Sequence, residues 1–240
     1  MELKNQVAII TGGGSGIGKA VAARCLQAGA RGIVIADLHL PKTKQRNILP
    51  VRTDVSDPVS VAQMVKTAMK TFGRIDILVN NAGICPVVPW DKTTVENWNQ
   101  VLDINLTGSF LCTKAVLPIM KRQRYGRVVF ISSTAAEVGS LVAHVAYGVS
   151  KAGVIALMKS MAKGFARFGI TANAVSPGTI DTPLTKTFNR KIQKGFIDNC
   201  VLKRQGKPRE VAEAILYLVA GRSSYTTGHV LNVDGGFSLR

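Results

Sequence analysis

The stretch Val7-Ala-Ile-Ile-Thr-Gly-Gly-Gly-Ser-Gly-Ile-Gly18 carries the reading from which the rest of the chain follows. Four apolar residues, Val7 to Ile10, suit a buried strand. The glycines after them permit a tight turn and close backbone approach. From Gly16 the pattern turns helical, so the turn opens a helix whose first N–H groups are free to receive a phosphate. Glycines 12, 16 and 18 give Gly-x-x-x-Gly-x-Gly, not the Gly-x-Gly-x-x-Gly of the commoner dinucleotide fingerprint. Gly14, Ser15 and Ile17 complete the loop that would face a pyrophosphate.

Working outward, short β-branched runs alternate with longer segments of helical period. Val7 to Ile10, Gly32 to Ala36, Ile48 to Thr53, Ile75 to Asn80, Arg127 to Ser132, Ile170 to Ser176 and His229 to Val233 read as strands. The first six are apolar enough for burial on both faces, as parallel strands require. Gly16–Ala28, Val59–Phe72, Val95–Lys121, Tyr147–Phe168 and Arg209–Ala220 read as helices between them. Such alternation predicts a doubly wound parallel α/β sheet of seven strands, with ligands at the carboxyl ends of the strands. The 240 residues contain no repeat and no linker, so one domain is expected. Only ten residues separate Asp37 from Ile48, and Pro41 lies among them, leaving room for a turn or so of helix.

Composition narrows the function. No apolar run reaches the eighteen or more residues that a membrane span needs, and the first strand begins almost at once. A cytoplasmic protein without a membrane role is the expectation. Cys25, Cys85, Cys112 and Cys200 are far apart and lack metal-ligand spacing, so reduced thiols and no metal site are expected. The net charge of +17 permits nucleic acid or an acidic partner. The basic residues are scattered, with mild clusters at Lys186 to Lys194 and Lys203 to Arg209. No aromatic RNA-binding signature or zinc-finger spacing accompanies them, which makes a nucleic-acid function the weaker reading.

Asp37 ends the second strand, nineteen residues beyond Gly18. A carboxylate there can accept hydrogen bonds from ribose hydroxyls and repels a 2′-phosphate. Ser15 offers no cation to such a phosphate, so NAD is expected over NADP. Farther along, Tyr147-Gly-Val-Ser-Lys151 puts a phenol and an ammonium one helical turn apart on one face. Beside a hydride carrier, that pair can form a proton relay.

With these features in place the chain resembles the short-chain dehydrogenase/reductase family over essentially its whole length. The glycine turn matches the cofactor motif, and Asp54 with Val55 matches the pair that approaches the adenine. Asn80-Asn-Ala-Gly83, including Asn81, Ala82 and Gly83, matches the motif that stabilises the central strand. Asn105, Ser133, Tyr147 and Lys151 match the catalytic set. Pro177, Gly178, Ile180 and Thr182 fall in the segment that flanks the nicotinamide. The resemblance implies a Rossmann-type sheet and interconversion of a secondary alcohol and a ketone. In that reaction Tyr147 is acid or base, Ser133 holds the substrate oxygen, and Lys151 bonds the nicotinamide ribose. Asn105 anchors a relay water. A free tyrosine has a pKa of about 10, so acting as base near pH 7 asks for roughly 3 units, about 4 kcal/mol, of phenolate stabilisation. Ser132 and Thr134 flank Ser133. A thirteen-residue spacing to the tyrosine would select Thr134, whereas alignment from the strand selects Ser133.

The Thr179-to-Pro183 segment and the fourteen-residue Ser–Tyr spacing look like the branch holding 3-hydroxybutyrate and sugar-acid dehydrogenases, which implies a small hydroxy acid. A 3-oxoacyl-[acyl-carrier-protein] reductase is the near alternative, and a non-catalytic dinucleotide sensor or nucleic-acid binder is the alternative of another class. Residues 183–205 are expected to form a substrate lid, with Arg190 touching substrate together with His144, three residues before Tyr147 on the loop where family members contact it. Surplus apolar residues on the Tyr147–Phe168 helix, together with the resemblance, imply a homotetramer.

Overall fold

Strands that are apolar along their whole length need cover on both faces, and the chain provides two helical layers to cover them. The structure, a computed structural model, describes residues 2–139 and 144–239. Its strands are β1 (Val7–Thr11), β2 (Gly32–Asp37), β3 (Ile48–Arg52), β4 (Ile77–Asn80), β5 (Gly126–Ile131), β6 (Ile170–Pro177) and β7 (Val230–Val233). All pair in parallel in one sheet of order β3-β2-β1-β4-β5-β6-β7. Order reverses between β1 and β4. That switch point opens a crevice at the strands' carboxyl ends.

Alternate residues of each strand serve opposite layers, as the two-residue repeat demands. Ala8, Ile10, Ile33, Ile35, Val129 and Val175 pack under α1 (Gly16–Gln27) and α8 (Pro208–Val219). Val7, Ile9, Val34, Leu78, Val128 and Phe130 pack on the other side, in a core shared with α2 (Pro58–Phe72) and two later helices. Asp57 caps α2 by accepting the N–H groups of Val59 and Ser60, and Gly73 ends it in the left-handed conformation that glycine tolerates.

Two expectations need correction. β3 is not buried on both faces: Ile48 to Val51 are half-buried and Arg52 is exposed. No helix forms across residues 38–47, so on the side of β3 facing the α1 layer only Ile48 meets the core. Leu49 and Val51 still pack toward the α2 layer. Nor is Val95–Lys121 one regular helix. It comprises α3 (Val95–Leu102), a single wide π-turn (Asp103–Thr107) and α4 (Gly108–Gln123).

The remaining helices are α5 (Ala135–Val138), α6 (Val145–Phe165) and α7 (Arg190–Asn199). α6 approaches the π-turn closely because residue 153 is glycine; a Cβ there would lie 2.8 Å from Leu106. Among the described residues no helix is long and apolar enough to cross a membrane.

Candidate active site

The glycine turn is built for backbone proximity. Gly12 and Gly16 adopt left-handed φ angles of 62° and 50°. A Cβ on Gly18 would collide with the Gly12 carbonyl, so α1 and the turn meet only without a side chain there. Asn81 fastens the turn to the end of β4, donating through Nδ2 to the carbonyls of Thr11 (2.8 Å) and Gly12 (3.0 Å). Thr11 Oγ1 accepts from the N–H groups of Asn81 and Ala82, both at 3.0 Å. Ser15 is the α1 N-cap, and its side chain makes no capping bond, which leaves the first N–H groups of α1 directed to a ligand.

Asp37 lies where β2 ends. Its Oδ2 accepts from Gly14 N–H at 2.9 Å and its Oδ1 from His39 N–H at 3.0 Å. The carboxylate is thus held against the glycine loop with lone pairs to spare for a ribose. Asp54 is exposed, and its Oδ1 accepts from the Ser56 backbone (2.9 Å) and hydroxyl (2.6 Å). Val55 is buried against Gly108, where a Cβ would come within 2.8 Å of it. The whole crevice measures about 1770 Å³. Gly12, Ser15, Gly16, Ile17, Asp37, Asp54, Val55, Asn81, Ala82 and Gly83 line one end of it, with Pro177, Gly178, Ile180 and Thr182 beyond them. These residues fit a dinucleotide: a side-chain-free cradle, free helix N–H groups and a fixed carboxylate.

At the other end stand the reactive groups. Tyr147 lies in the first turn of α6 and Lys151 in the second, with Lys151 Nζ 5.8 Å from the Tyr147 ring centre. Lys151 is buried and donates to the Ile131 carbonyl at 2.8 Å. Burial draws its pKa down to about 8. Burial also pushes the Tyr147 phenol above its ordinary value, and the neighbouring Cys85 adds to the rise. The Ser133 hydroxyl, close to the phenol, opposes both. Of the three consecutive hydroxyls, Ser133 is therefore the one beside Tyr147. Ser132 is buried and donates instead to the Lys151 carbonyl at 3.0 Å.

Asn105 sits in the π-turn and is fully buried. Its Oδ1 accepts from Ile84 N–H at 2.9 Å, and its Nδ2 donates to the Ile84 carbonyl and the Ser150 hydroxyl, both at 3.0 Å. The wide turn rotates this amide inward, where it joins the β4 loop to α6. With the amide so engaged, Oδ1 keeps one lone pair to spare, while the Asn105 backbone carbonyl accepts from the Ser109 hydroxyl at 2.8 Å.

The structure does not bring the two expected substrate contacts to the crevice. His144 is fully buried and has both ring nitrogens bonded, to Asn97 (2.7 Å) and to Ala146 N–H (3.1 Å). Arg190 begins α7 on an exposed face, and the cation that lines the crevice there is Lys191. Sequence reasoning missed Cys85, Phe188, Ile192, Phe196 and Phe237, which also line it. Phe196 joins Phe188 and Phe237 at ring distances of 5.9 and 6.2 Å, so α7 rests on the C-terminal segment. No local spacing signals that contact, because Phe237 reaches the site only through the fold. From the 183–205 span, Pro183, Leu184 and Thr185, and further residues out to Asn199 on α7, line the crevice.

Comparison with known proteins gives a consistent relationship. A family model described as enoyl-(acyl carrier protein) reductase matches residues 12–238. The chain is 38% identical to the 3-oxoacyl-[acyl-carrier-protein] reductase FabG of Thermotoga maritima, covering 100% of both chains. It is also 38% identical to cis-4-hydroxycyclohexanecarboxylate dehydrogenase of Sinomonas cyclohexanicum, over 97% of this chain and 96% of that one. Among solved structures, levodione reductase superposes with a TM-score of 0.92 at 34% identity, covering 98% of each chain. The glycine cradle at the switch point, the Tyr147 and Lys151 pair on α6 and these full-length matches place the chain in the short-chain dehydrogenase/reductase family of oxidoreductases.

Proposed function

We propose that the protein is an NAD-dependent dehydrogenase/reductase that interconverts a secondary alcohol and a ketone on an acid with an apolar body. The observation that carries this reading is the convergence of Ser133, Tyr147 and Lys151 on one end of a crevice whose other end holds Asp37 against the glycine loop. When bound, the nicotinamide ring of NAD takes or gives the hydride. Gly12 to Gly18 would hold the pyrophosphate, Asp37 the adenosine ribose and Lys151 the nicotinamide ribose. Ser133 would hold the substrate oxygen through its hydroxyl. Tyr147 would then take the alcohol proton in oxidation and return it to the ketone oxygen in reduction. The protein alone raises the phenol's pKa, so the Lys151 ammonium and Ser133 must favour the phenolate with help from the positively charged cofactor ring.

The small hydroxy acid suggested by the sequence fits less well than a larger one. His144 and Arg190 are not at the crevice, and Lys191 is joined there by Val138, Leu184, Phe188, Ile192, Phe196 and Phe237. One cation among apolar walls suits a carboxylate on a ring or chain. The relative named for cis-4-hydroxycyclohexanecarboxylate supports that class. The FabG relative and the net charge of +17 support a second reading, an acyl thioester carried by an acidic protein. A homotetramer assembled on α4 and α6 belongs to the same proposal.

Initial rates with NAD⁺ and NADP⁺ against cyclic hydroxy acids, small hydroxy acids, sugars and 3-hydroxyacyl thioesters test it. Higher kcat/KM with NAD⁺ and a cyclic or chain-bearing hydroxy acid is expected. Tyr147→Phe should lower kcat at least about a hundredfold, the scale of general acid–base catalysis, with NAD binding nearly intact. Preference for NADP⁺, or substantial activity in Tyr147→Phe, would overturn it.

A further inference from the structure

The first turn of α6 carries Tyr147, and what begins that helix is a histidine. Ser, Thr, Asp and Asn are the ordinary N-caps. Here His144 Nδ1 accepts from Ala146 N–H at 3.1 Å, and the His144 carbonyl accepts from Tyr147 N–H at 2.8 Å. The other ring nitrogen, Nε2, lies 2.7 Å from Asn97 Oδ1 on α3. Thr94 N–H also donates to that oxygen, at 3.0 Å, which fixes the orientation of the Asn97 amide. Nε2 must then be the donor, and the imidazole is neutral with its hydrogen on Nε2. The His144 N–H donates to the Pro86 carbonyl at 2.9 Å, one residue past Cys85 in the crevice wall. One buried ring therefore joins the loop after β4, the start of α3 and the turn that bears Tyr147.

From this geometry we infer that His144 is a positioning residue for the reaction: its neutral form sets Tyr147, and its protonation disengages it. A second proton would fall on Nδ1, placing an N–H against Ala146 N–H and a positive charge at a helix N-terminus. Both effects weaken the first turn of α6. The groups around the ring are few. On α3, Asn97 faces it, and the adjacent Glu96 is exposed with its carboxylate bonded locally. The β4 loop offers Pro86 and the Cys85 thiol, held protonated by burial. α6 itself offers Tyr147 and, one turn on, Lys151. No described carboxylate pairs with the imidazole, and burial alone draws its pKa below the ordinary histidine value. The inference rests on Tyr147 being the acid/base of the proposed reaction.

The test follows the imidazole signals of the three histidines by NMR alongside the pH profile of kcat, in the wild type and in Asn97→Asp, His144→Asn and His144→Ala. Asn97→Asp keeps both acceptor contacts but adds a negative charge beside Nε2, which should raise the His144 pKa by about one unit or more. The acid limb of kcat should move up by the same amount, with Tm at pH 8 unchanged or higher. His144→Asn retains a cap and no titrating group, so most of kcat should survive and the limb should flatten. His144→Ala should lose about tenfold in kcat, the scale of a lost cap, with little change in KM for NAD. A moved NMR titration with an unmoved kcat limb, or full kcat in His144→Ala, overturns the inference. Tyr147→Phe separates the two readings: if it retains activity, the proposed reaction fails, whereas if it is inactive and the limb still does not move, only the role of His144 fails.

Discussion

Burying the Lys151 ammonium costs the folded state its hydration, and the drop of its pKa from 10.5 to about 8 measures that cost. At about 1.4 kcal/mol per unit it amounts to a few kcal/mol. Below pH 8 lysine is charged in both folded and unfolded chains, and the fold bears the full penalty. Between about pH 8 and 10.5 the unfolded chain binds more protons, so stability from this group rises with pH until the penalty is gone. Lys151→Met keeps the apolar stem and loses one hydrogen bond to the Ile131 carbonyl, worth about 1 kcal/mol. Thermal melts should therefore show Lys151→Met more stable than the wild type at pH 7, with the gap narrowing above pH 8, while turnover is abolished. A lower Tm at pH 7 would show that the site around Lys151 is not strained by its charge.

At the scale of elements, the turn between β1 and α1 depends on two glycines for different reasons. A Cβ on Gly14 would lie 2.7 Å from the His39 carbonyl and 3.0 Å from Asp37 Oδ2, pressing on the bond that places the carboxylate. At Gly18 it would strike the backbone of Gly12. Gly14→Ala should fold and bind NAD about tenfold more weakly, the scale of one hydrogen bond to a charged group. Gly18→Ala should lose NAD binding and melt at lower temperature. Calorimetric titration and melting curves check both, and equal behaviour of the two would refute the distinction. This turn was legible because its chemistry is local: strand, glycines and helix start follow one another in the chain. The π-turn at Asp103–Thr107 was not, since its cause lies in Ile84 and Ser150, far off in sequence. His144 escaped as a cap for a similar reason, its partner Asn97 being 47 residues away.

For the molecule as a whole, α4 and α6 each leave an apolar side chain half exposed, Phe110 beside Lys114 and Val149 at the rim of the crevice. Phe110 is 45% and Val149 46% exposed on these neighbouring helices, more than two core-facing stripes require. Self-association through this face should give a mass of four chains by light scattering at micromolar concentration. Added salt should strengthen it, because +17 on every subunit opposes assembly. A monomeric mass would refute it. The order of strands and helices could be read from the apolar runs, since each run either fills or fails to fill a two-sided sheet. The short crossover after Asp37 likewise announced how little helix could lie beside β3; what misled was the strand's own apolar run, which does not reveal whether a helix covers it.

That crossover bears on timing. Residues 38–47 cross from β2 to β3 without a helix, so the crevice end proposed for adenosine is walled by loop rather than helix on that side, with Leu38 and His39 beside Asp37. A nucleotide seated there would part from a loop rather than from a packed helix, and its residence time would shorten accordingly. Weak retention raises the cofactor concentration needed for saturation and removes product-nucleotide escape as the slow step. Turnover would then be paced by hydride transfer itself, and the enzyme's rate would track the cellular ratio of oxidised to reduced nucleotide with little delay.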